Sequence, residues 1–209
     1  MTRQVRRLLT GQRLEPSVER TARPLKLAVT PHAEIPVYLA ALGPRAVRLA
    51  GEVADGWCPF LLPISGLDAS IRLLEEGMTH GTPRRTRPTI APSIPTAVSD
   101  DPAKALELAS WWVAFYLGSM GPLYRKTLRR LGHGQAVDEV LAANPTPRTF
   151  DVPESAQGLL DELTVWGDAE HARAALDRWY AAGAEMPTLT LPPGRSVDEL
   201  DHILESLRP

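Results

Sequence analysis

Short runs of apolar residues alternate along the chain with longer segments in which apolar residues recur every three or four positions. The short runs are typical of strands covered on both faces, as in a parallel sheet, and the longer spacing is typical of amphipathic helices. This alternation predicts an α/β fold of parallel strand–helix units with right-handed crossovers. The predicted strands are Val37–Leu42, Gly56–Leu62, Thr89–Val98 and Met186–Leu191.

Helix boundaries follow from capping residues, prolines and glycines. Good N-caps precede three of the predicted helices, at Asp101, Asp168 and Ser196. Gly77 and Gly183 are predicted to end the helices that precede them. The predicted helices are Arg45–Ala54 with Pro44 at the first helical position, Leu67–Glu76, and the segments SDDPAKALELASWWVAFYL, GPLYRKTLRRLG, AVDEVLAAN, ESAQGLLDEL, GDAEHARAALDRWYAAGAE and SVDELDHILESL.

The 209 residues are predicted to form a single domain that is half of a barrel. Four strands are visible, whereas a complete (β/α)₈ barrel has eight strands and about 250 residues. Residues 1–35 are predicted to be the end of a helix, stopped at Gly11, and an irregular lead-in; residues 36–209 are predicted to be four βα units with a helical insertion at about 101–163. Because the chain opens in the closing turns of a helix, we expect an N-terminal truncation.

Composition and charge restrict the classes of partner. With 44% apolar residues, 23% charged residues and a net charge of −2, the chain is typical of a globular protein, and neither nucleic acid nor a membrane surface is expected as a partner. No apolar run approaches the roughly 20 residues of a membrane-spanning helix. The single cysteine, Cys58, fits a reducing cytoplasm, and we expect a buried, unreactive thiol. The five histidines show no paired ligand spacing, so no metal site is predicted.

The junction between the first predicted strand and its helix is the clearest candidate site. In parallel α/β folds, ligands bind at the carboxyl ends of the strands, where helix N-termini present free amides. The Gly-Pro pair leaves the amides of Gly43, Arg45 and Ala46 available to an anion such as phosphate, with the Arg45 side chain as a further contact. The alternative is that Gly-Pro only turns the chain, and that Ala46, Ala50 and Gly51 are small because the helix packs closely on the sheet.

Three segments carry a family resemblance: RPLKLAVTPHAEIPVYLAALGPRAVRLAGEVADGW, YLGSMGPLYRKTLRRLGHG and VPESAQGLLDELTVWGDAEHARAALDRWYAAGAE. Together they resemble the bacterial luciferase-like superfamily, especially its branch that uses the deazaflavin coenzyme F420. Members are (β/α)₈ barrels that bind FMN or the deazaflavin at the carboxyl ends of the strands. The resemblance implies that Val37–Leu42 is the fifth barrel strand and Met186–Leu191 the eighth. The chain is then expected to be the C-terminal half of a TIM barrel, with an open parallel sheet.

The resemblance also implies which residues hold the cofactor. In the family, the turn after the fifth strand contacts the cofactor phosphate, in agreement with the anion site inferred from the helix N-terminus. The residues of that turn, with Arg45 as an added charge, are Ala41, Leu42, Gly43, Pro44, Arg45 and Ala46. Asp55, at the entry to the sixth strand, is expected to be structural. The family's first four strands, which usually supply the residues nearest the transferred hydride, have no counterpart here, so no catalytic acid or base is assigned.

Family members often place substrate contacts on the helices after the seventh strand. Tyr116, Tyr124 and Arg125 lie there, and the Arg125 guanidinium suits an anionic substrate or the anionic tail of the cofactor. The alternative for these residues is a solvated helix face. His133, between two glycines, is predicted to lie in a loop from which it can touch the rim of the pocket.

Two functions are open at this point. The first is a flavin- or deazaflavin-dependent oxidoreductase of the luciferase-like class, carrying out hydride transfer or monooxygenation on a small molecule with coenzyme F420 or FMN. The second is a non-catalytic relative that acts as a cofactor-binding or subunit protein. Four parallel strands leave two open edges and the inner faces of Val37–Leu42 and Gly56–Leu62 exposed, so we expect a homodimer or a partner chain to supply the missing barrel half.

Overall fold

The computed structural model describes residues 2–14, 23–29, 35–80, 86–146 and 149–208. Within these ranges short parallel strands alternate with helices, which confirms the predicted α/β fold. Residues 15–22 and 30–34 of the predicted irregular lead-in lie outside the described residues. The strands are β1 (Tyr38–Leu39), β2 (Gly56–Trp57), β3 (Thr89–Ile90), β4 (Ser93–Val98), β5 (Val165–Gly167) and β6 (Thr188–Thr190).

The strands form two three-stranded parallel sheets. In the first, β2 lies between β1 and β3, with Gly56 opposite both Tyr38 and Thr89. In the second, β4 lies between β5 and β6, with Thr96 opposite Val165. Only two residues separate β3 from β4, so one stretch of chain contributes to both sheets. This stretch is the single predicted strand over residues 89–98.

The hydrogen-bonded strands are shorter than the apolar runs that predict them. Prolines interrupt these runs and remove backbone donors, as at Pro59 and Pro92. Isolated pairing continues past β2, where Phe60 bridges to Ser93. β5 is a further difference from the prediction: three residues between two helices carry too little periodicity to identify a strand.

The helices agree with the predicted set except at Gly77, which lies inside α3 and does not end it. The helices are α1 (Thr2–Leu9), α2 (Pro44–Val53), α3 (Leu67–His80), α4 (Pro102–Ser119), α5 (Pro122–Arg130), α6 (Gly134–Ala143), α7 (Gly158–Leu163), α8 (Ala169–Ala181) and α9 (Val197–Ser206), with 3₁₀ turns at Ile64–Gly66 and Glu154–Ala156. No helix in the described ranges has the length and apolarity needed to cross a membrane.

Two glycines bring α2 and α3 into close contact. A Cβ added to Gly51 would overlap the backbone carbonyl of Leu74, and one added to Gly77 would overlap that of Arg48. Gly77 is therefore a packing residue, because only a residue without a side chain lets the two backbones approach this closely. Arg48 and Glu76 form an ion pair next to this contact, with 2.7 Å between Nε and Oε2.

Two clusters of buried residues form the interior. The first joins the strands to α2, α3, α8 and α9 and contains Trp57 and Leu62. The second joins Leu61 to α4, α5, α6 and α7, the four helices between β4 and β5, for which we keep the name helical insertion. The run Gly56–Leu62, expected to expose its inner face, is covered in part: Cys58 and Phe60 are half-buried, and its other residues are buried. The residues of β1 and β6 are not fully buried, as expected for edge strands.

Asp55 holds the sheet at the end opposite to the carboxyl edge. Its Oδ2 accepts hydrogen bonds from the Val37 amide at 2.8 Å and from Arg6 Nη2 at 2.6 Å. Arg6 also donates to the carbonyl oxygen of Val53. These contacts tie α1 to the start of β1 and β2, so the structural role predicted for Asp55 is confirmed.

Candidate functional site

The predicted cofactor turn lies at the carboxyl end of β1, where the strand leads into α2. Ala41 and Leu42 are buried, with 8% and 7% of their surfaces exposed. Both of their carbonyl oxygens accept side-chain hydrogen bonds: Trp57 Nε1 lies 2.9 Å from Ala41 O, and Arg130 Nη2 lies 3.0 Å from Leu42 O. These contacts fix the point at which α2 begins.

The N-terminus of α2 has no side-chain cap. Its N-cap is Gly43, which is extended with φ −78° and ψ 147°, and Pro44 follows as the first helical residue. Pro44 has no amide hydrogen, so the free donors of this turn are the amides of Gly43, Arg45 and Ala46. Within the described part of the chain, no hydrogen bond uses any of these three amides.

Three other helices that follow strands are capped at the same edge. The helices α4, α8 and α9 follow β4, β5 and β6, and a first-turn amide of each donates to Asp101, Asp168 or Ser196, which confirms the predicted caps. The cap of α9 is a complete capping box with Glu199. The N-terminus of α2 differs because its amides remain available, and free amides together with the helix dipole favour an anion there.

Close packing explains only some of the small residues at this junction. Ala50 is fully buried, and Gly51 lies against α3. In contrast, Ala46 is exposed, and a Cβ added to Gly43 would meet no described heavy atom within 4 Å. Packing therefore does not account for Gly43 or Ala46, and the space next to the Gly43 backbone is open to a ligand.

Two arginines belong to the elements that meet at this open N-terminus. Arg45 is exposed and forms no ion pair with a carboxylate among the residues described. Arg130 comes from α5, whose sequence PLYRKTLRR has four basic residues and no acidic residue. Sequence reasoning missed Arg130, because 88 positions separate it from Leu42 and no local pattern connects the two. Amides with guanidinium groups are a donor set suited to phosphate.

The two tyrosines predicted to contact substrate lie together. The rings of Tyr116 and Tyr124 are almost perpendicular, with centroids 5.3 Å apart. Both rings contact Phe60, at centroid distances of 4.8 and 6.2 Å. Phe60 follows β2 on its carboxyl side and was hidden from sequence reasoning within an apolar run. Burial raises the pKa of Tyr124, and the nearby Tyr116 phenol raises it further, so Tyr124 stays a neutral hydrogen-bond donor.

Arg125 is not simply part of a solvated helix face. It is half-buried, and its Nε is buried with no hydrogen-bond partner in the described ranges. Trp112, which contacts Phe60, is only 6% exposed and its Nε1 also has no partner there. Buried donors without acceptors are uncommon in folded proteins, and one of these two, Trp112, lies against Tyr116 with ring centroids 5.8 Å apart.

His133 connects the helical insertion to the 3₁₀ turn after β2. It is the N-cap residue of α6, and its Nε2 lies 3.3 Å from Ser65 Oγ. Glu162 Oε2 accepts the Ser65 amide at 3.0 Å and lies 3.9 Å from the same Nε2. In a Ser–His–acid triad the acid faces Nδ1 instead, so these three residues are not arranged as one.

Cys58 is half-buried, so the expectation of a fully buried thiol is wrong. Burial still raises the pKa of the thiol, and a protonated thiol is a weak nucleophile at neutral pH. Across the ranges that the structure describes, no group of three or more His, Cys, Asp or Glu side chains is placed to hold a metal ion.

These features define a class: an α/β protein with parallel strands and an uncapped helix N-terminus with free amides at their carboxyl edge. The family model for luciferase-like monooxygenases matches residues 1–186, so the chain belongs to that family and the predicted resemblance is confirmed. A Mycobacterium tuberculosis protein, named as a putative coenzyme F420-dependent oxidoreductase, is 31% identical over 175 residues. That match covers 80% of this chain and 50% of the relative, so the chain spans about half the relative's length.

Solved structures share the fold. The coenzyme F420-dependent tetrahydromethanopterin reductase from Methanopyrus kandleri has a TM-score of 0.69 at 20% identity, covering 96% of this chain and 58% of the reductase. An F420-dependent secondary alcohol dehydrogenase, solved in complex with an F420–acetone adduct, has a TM-score of 0.68 at 21% identity, covering 100% of this chain and 60% of the dehydrogenase. At these identities the likeness shows the fold alone.

Proposed function

We propose that this chain is part of a flavin- or deazaflavin-dependent oxidoreductase of the luciferase-like class, with coenzyme F420 or FMN as its cofactor. Family membership and the relative named as a putative coenzyme F420-dependent oxidoreductase support the class. The observation that carries the proposal is the uncapped N-terminus of α2, because the helices after β4, β5 and β6 are all capped. Both cofactors carry a phosphate group, which the free amides fit.

The turn from Ala41 to Ala46 holds the cofactor phosphate in this proposal. The amides of Gly43, Arg45 and Ala46 donate to it, and the Arg45 side chain adds positive charge. The Trp57 side chain supports the turn, because its Nε1 donates a hydrogen bond to Ala41 O. When bound, the cofactor supplies the redox chemistry: it accepts or delivers a hydride, or as reduced FMN it reacts with oxygen.

The substrate side of the site is proposed to lie at the junction of α4 and α5. Tyr116 and Tyr124 present phenol groups, and Phe60 adds an apolar ring beside them. A phenol that remains protonated orients an oxygen of a small molecule by donating a hydrogen bond. Arg125, whose Nε has no described partner, is proposed to contribute charge when the substrate is anionic.

Four strand segments, namely β1, β2, the continuous stretch of β3 and β4, and β6, are proposed to be strands five to eight of a TIM barrel. Two observations support this: the half-exposed edge strands β1 and β6, and the relative's length, of which the chain spans about half. An unpaired strand edge binds a further strand readily. We propose that a second copy of this chain, or a polypeptide carrying strands one to four, supplies the remaining strands.

Cofactor retention tests the proposal directly. The purified protein is mixed with coenzyme F420 or with FMN, passed through a desalting column, and scanned for the visible absorbance of the cofactor. We expect the wild type to retain one of them. The substitution Gly43→Asp places a carboxylate against the phosphate and is expected to weaken retention at least tenfold, on the order of 1.4 kcal/mol.

Gly158→Asp is the matched control. Gly158 begins α7, and a Cβ there also meets no described heavy atom within 4 Å, so this variant adds the same charge at another helix N-terminus. It is expected to retain cofactor like the wild type. Loss of retention in both variants, or in neither, removes α2 as the phosphate site. If the wild type retains neither cofactor at saturating concentration, the proposed function is wrong.

Sedimentation velocity tests the proposed association. The open edges at β1 and β6 predict a dimer or a larger complex at micromolar concentration. A monodisperse monomer contradicts the homodimer and leaves a separate polypeptide as the source of the missing strands. Cofactor retention without any turnover favours the non-catalytic binding or subunit protein over the enzyme.

A further inference from the structure

We infer that Arg130 is a positioning residue of the phosphate turn, so that the helical insertion forms one side of the cofactor site. The inference rests on the proposed function and adds a residue to it. Arg130 Nη2 donates to Leu42 O at 3.0 Å, and this contact joins the last residue of α5 to the carboxyl end of β1. The remaining guanidinium donors form no hydrogen bond or ion pair with the residues that the structure describes.

The contact acts on the peptide group that carries the Gly43 amide. The Leu42 carbonyl and the Gly43 amide belong to one peptide unit, so a hydrogen bond to the carbonyl polarises the unit and strengthens the amide as a donor. Because the peptide is trans, the guanidinium lies on the side opposite to the Gly43 N–H, and its positive charge acts on a bound phosphate across the peptide unit. Arg130 thus acts through Leu42 and Gly43 and through its charge.

The position of Arg130 is fixed by its neighbours in the chain. Thr127 and Leu128 bury one face of α5. Leu131 packs over Gly66, where an added Cβ would lie 2.8 Å from Leu131 Cδ1. Because residues on both sides of Arg130 are packed, its backbone cannot drift away from β1, and the hydrogen bond to Leu42 requires little additional ordering.

A general role at the end of a helix does not account for this contact. Basic side chains in a last turn interact favourably with the helix dipole, and Arg129 is placed equally well for that purpose. Arg129, however, forms an ion pair with Asp138 of α6. Of these two adjacent residues, Arg130 alone reaches the cofactor turn, so Arg129 provides a matched control.

Amide chemical shifts measured during a titration with inorganic phosphate test the inference. The ¹⁵N-labelled protein is titrated, and the amide signals of Gly43, Arg45 and Ala46 are followed. We expect Arg130→Met to bind phosphate about five- to tenfold more weakly than the wild type, on the scale of one ordinary hydrogen bond. Arg130→Lys, which keeps the charge and a donor, is expected to recover most of the affinity, and Arg129→Met to match the wild type.

Varying the ionic strength distinguishes an electrostatic effect of the Arg130 charge on phosphate binding from a purely structural effect. Added salt screens exposed charges, so the difference in affinity between the wild type and Arg130→Met should shrink as ionic strength rises. Thermal unfolding is recorded for each variant and is expected to change little. A difference in phosphate affinity that does not depend on salt, together with a lower Tm of Arg130→Met, indicates a structural role and overturns the inference.

The outcomes also separate this inference from the proposed function. If phosphate shifts the three amides equally in the wild type and in Arg130→Met, or if Arg129→Met weakens binding as much, the inference is wrong and the function is untouched. If the three amides do not respond to phosphate although the wild type retains F420 or FMN, the inference again fails alone. If the amides respond in an Arg130-dependent way but neither cofactor is retained, only the proposed function fails.

Discussion

In the C-terminal half of α2, the space left by a missing side chain is filled by protein; at its N-terminus, the same kind of space is empty. Gly51 lets the backbone of α3 approach until no Cβ fits, and Ala50 is fully buried beside it. Gly43 and Ala46 face outward, with open space next to Gly43. The helix and its N-cap therefore carry two sets of small residues, one packed against protein and one next to open space.

This comparison shows how to assign a role to a glycine. A glycine that a neighbouring backbone contacts is required by packing, whereas a glycine in open space with an ordinary φ is required neither by packing nor by conformation. Gly43 is of the second kind, with φ −78°. An N-cap of Ser, Asp or Asn would stabilise the helix better than glycine, so glycine here keeps the amides accessible at some cost in helix stability.

The largest effect is expected where α2 meets α3. Gly51→Ala forces a Cβ onto the Leu74 carbonyl, and because the obstacle is backbone, no rotamer change relieves it. We expect a loss of about 3 kcal/mol or more in the free energy of unfolding, the upper part of the range for overpacking. Gly43→Ala is the matched variant at the other end and should cost less than about 1 kcal/mol. Urea denaturation measures the free energy of unfolding of both variants. Equal losses would contradict the conclusion that Gly51 is packed and Gly43 is not.

The next effect is on binding rather than stability. Gly43→Asp should weaken cofactor binding at least tenfold, about 1.4 kcal/mol, yet raise the stability of α2 by a few tenths of a kcal/mol because aspartate is a better N-cap than glycine. Weaker cofactor binding together with higher stability is expected if the free amides of the turn bind a ligand and do not otherwise stabilise the helix. Isothermal titration with FMN or F420, together with urea denaturation, tests this. A variant that loses stability and affinity together would indicate local unfolding instead.

A smaller effect is expected just beyond the C-terminal end of α2. Asp55→Ala removes the acceptor for the Val37 amide and for Arg6, at the end of the sheet away from the proposed site. We expect a loss of about 1 kcal/mol in the free energy of unfolding from these partly buried hydrogen bonds. Cofactor affinity should stay within about twofold of the wild type, a change under about 0.5 kcal/mol. A strong loss of affinity would place Asp55 in the site and contradict its structural role.

The smallest effect is expected at the N-terminus of α9, which is capped, in contrast to the uncapped N-terminus of α2. The Ser196 amide, in the capping box, lowers the pKa of Glu199 below its ordinary value. A lowered folded-state pKa gives stability that is present above the unfolded pKa and is lost as pH falls through the folded value. Glu199→Gln keeps the capping geometry but removes the charge. Its free energy of unfolding should therefore be lower than that of the wild type at neutral pH and approach the wild-type value in acid. Urea denaturation of both proteins from neutral to acidic pH measures this difference. A difference in the free energy of unfolding that does not change with pH would contradict the prediction.

Much of the fold follows from local patterns in the sequence. The alternation of apolar runs and amphipathic segments predicts parallel strand–helix units, and Asp101, Asp168 and Ser196 mark helix starts because their side chains bond amides two or three residues ahead. Such signals depend on neighbours in the chain. The prediction that Gly77 ends its helix is wrong because, in the sequence, a glycine that ends a helix looks the same as one that packs against another helix.

The candidate site is only partly visible in the sequence. Gly43 and Pro44 identify a helix start with free amides, since that property belongs to the backbone of adjacent residues. The partners Arg130 and Phe60 carry no such signal, because their roles depend on contacts across long stretches of chain.

The sequence by itself determined the class of fold, the helix that begins at a glycine without a cap, and the family. These follow from short-range spacing, turn chemistry and matched motifs. Only the tertiary structure decided which small residues pack, because whether Gly43 or Gly51 meets another backbone depends on where α3 lies. It alone brought Arg130 to Leu42 and Phe60 to the two tyrosines, since side chains distant in the sequence meet only when the insertion folds against the strands.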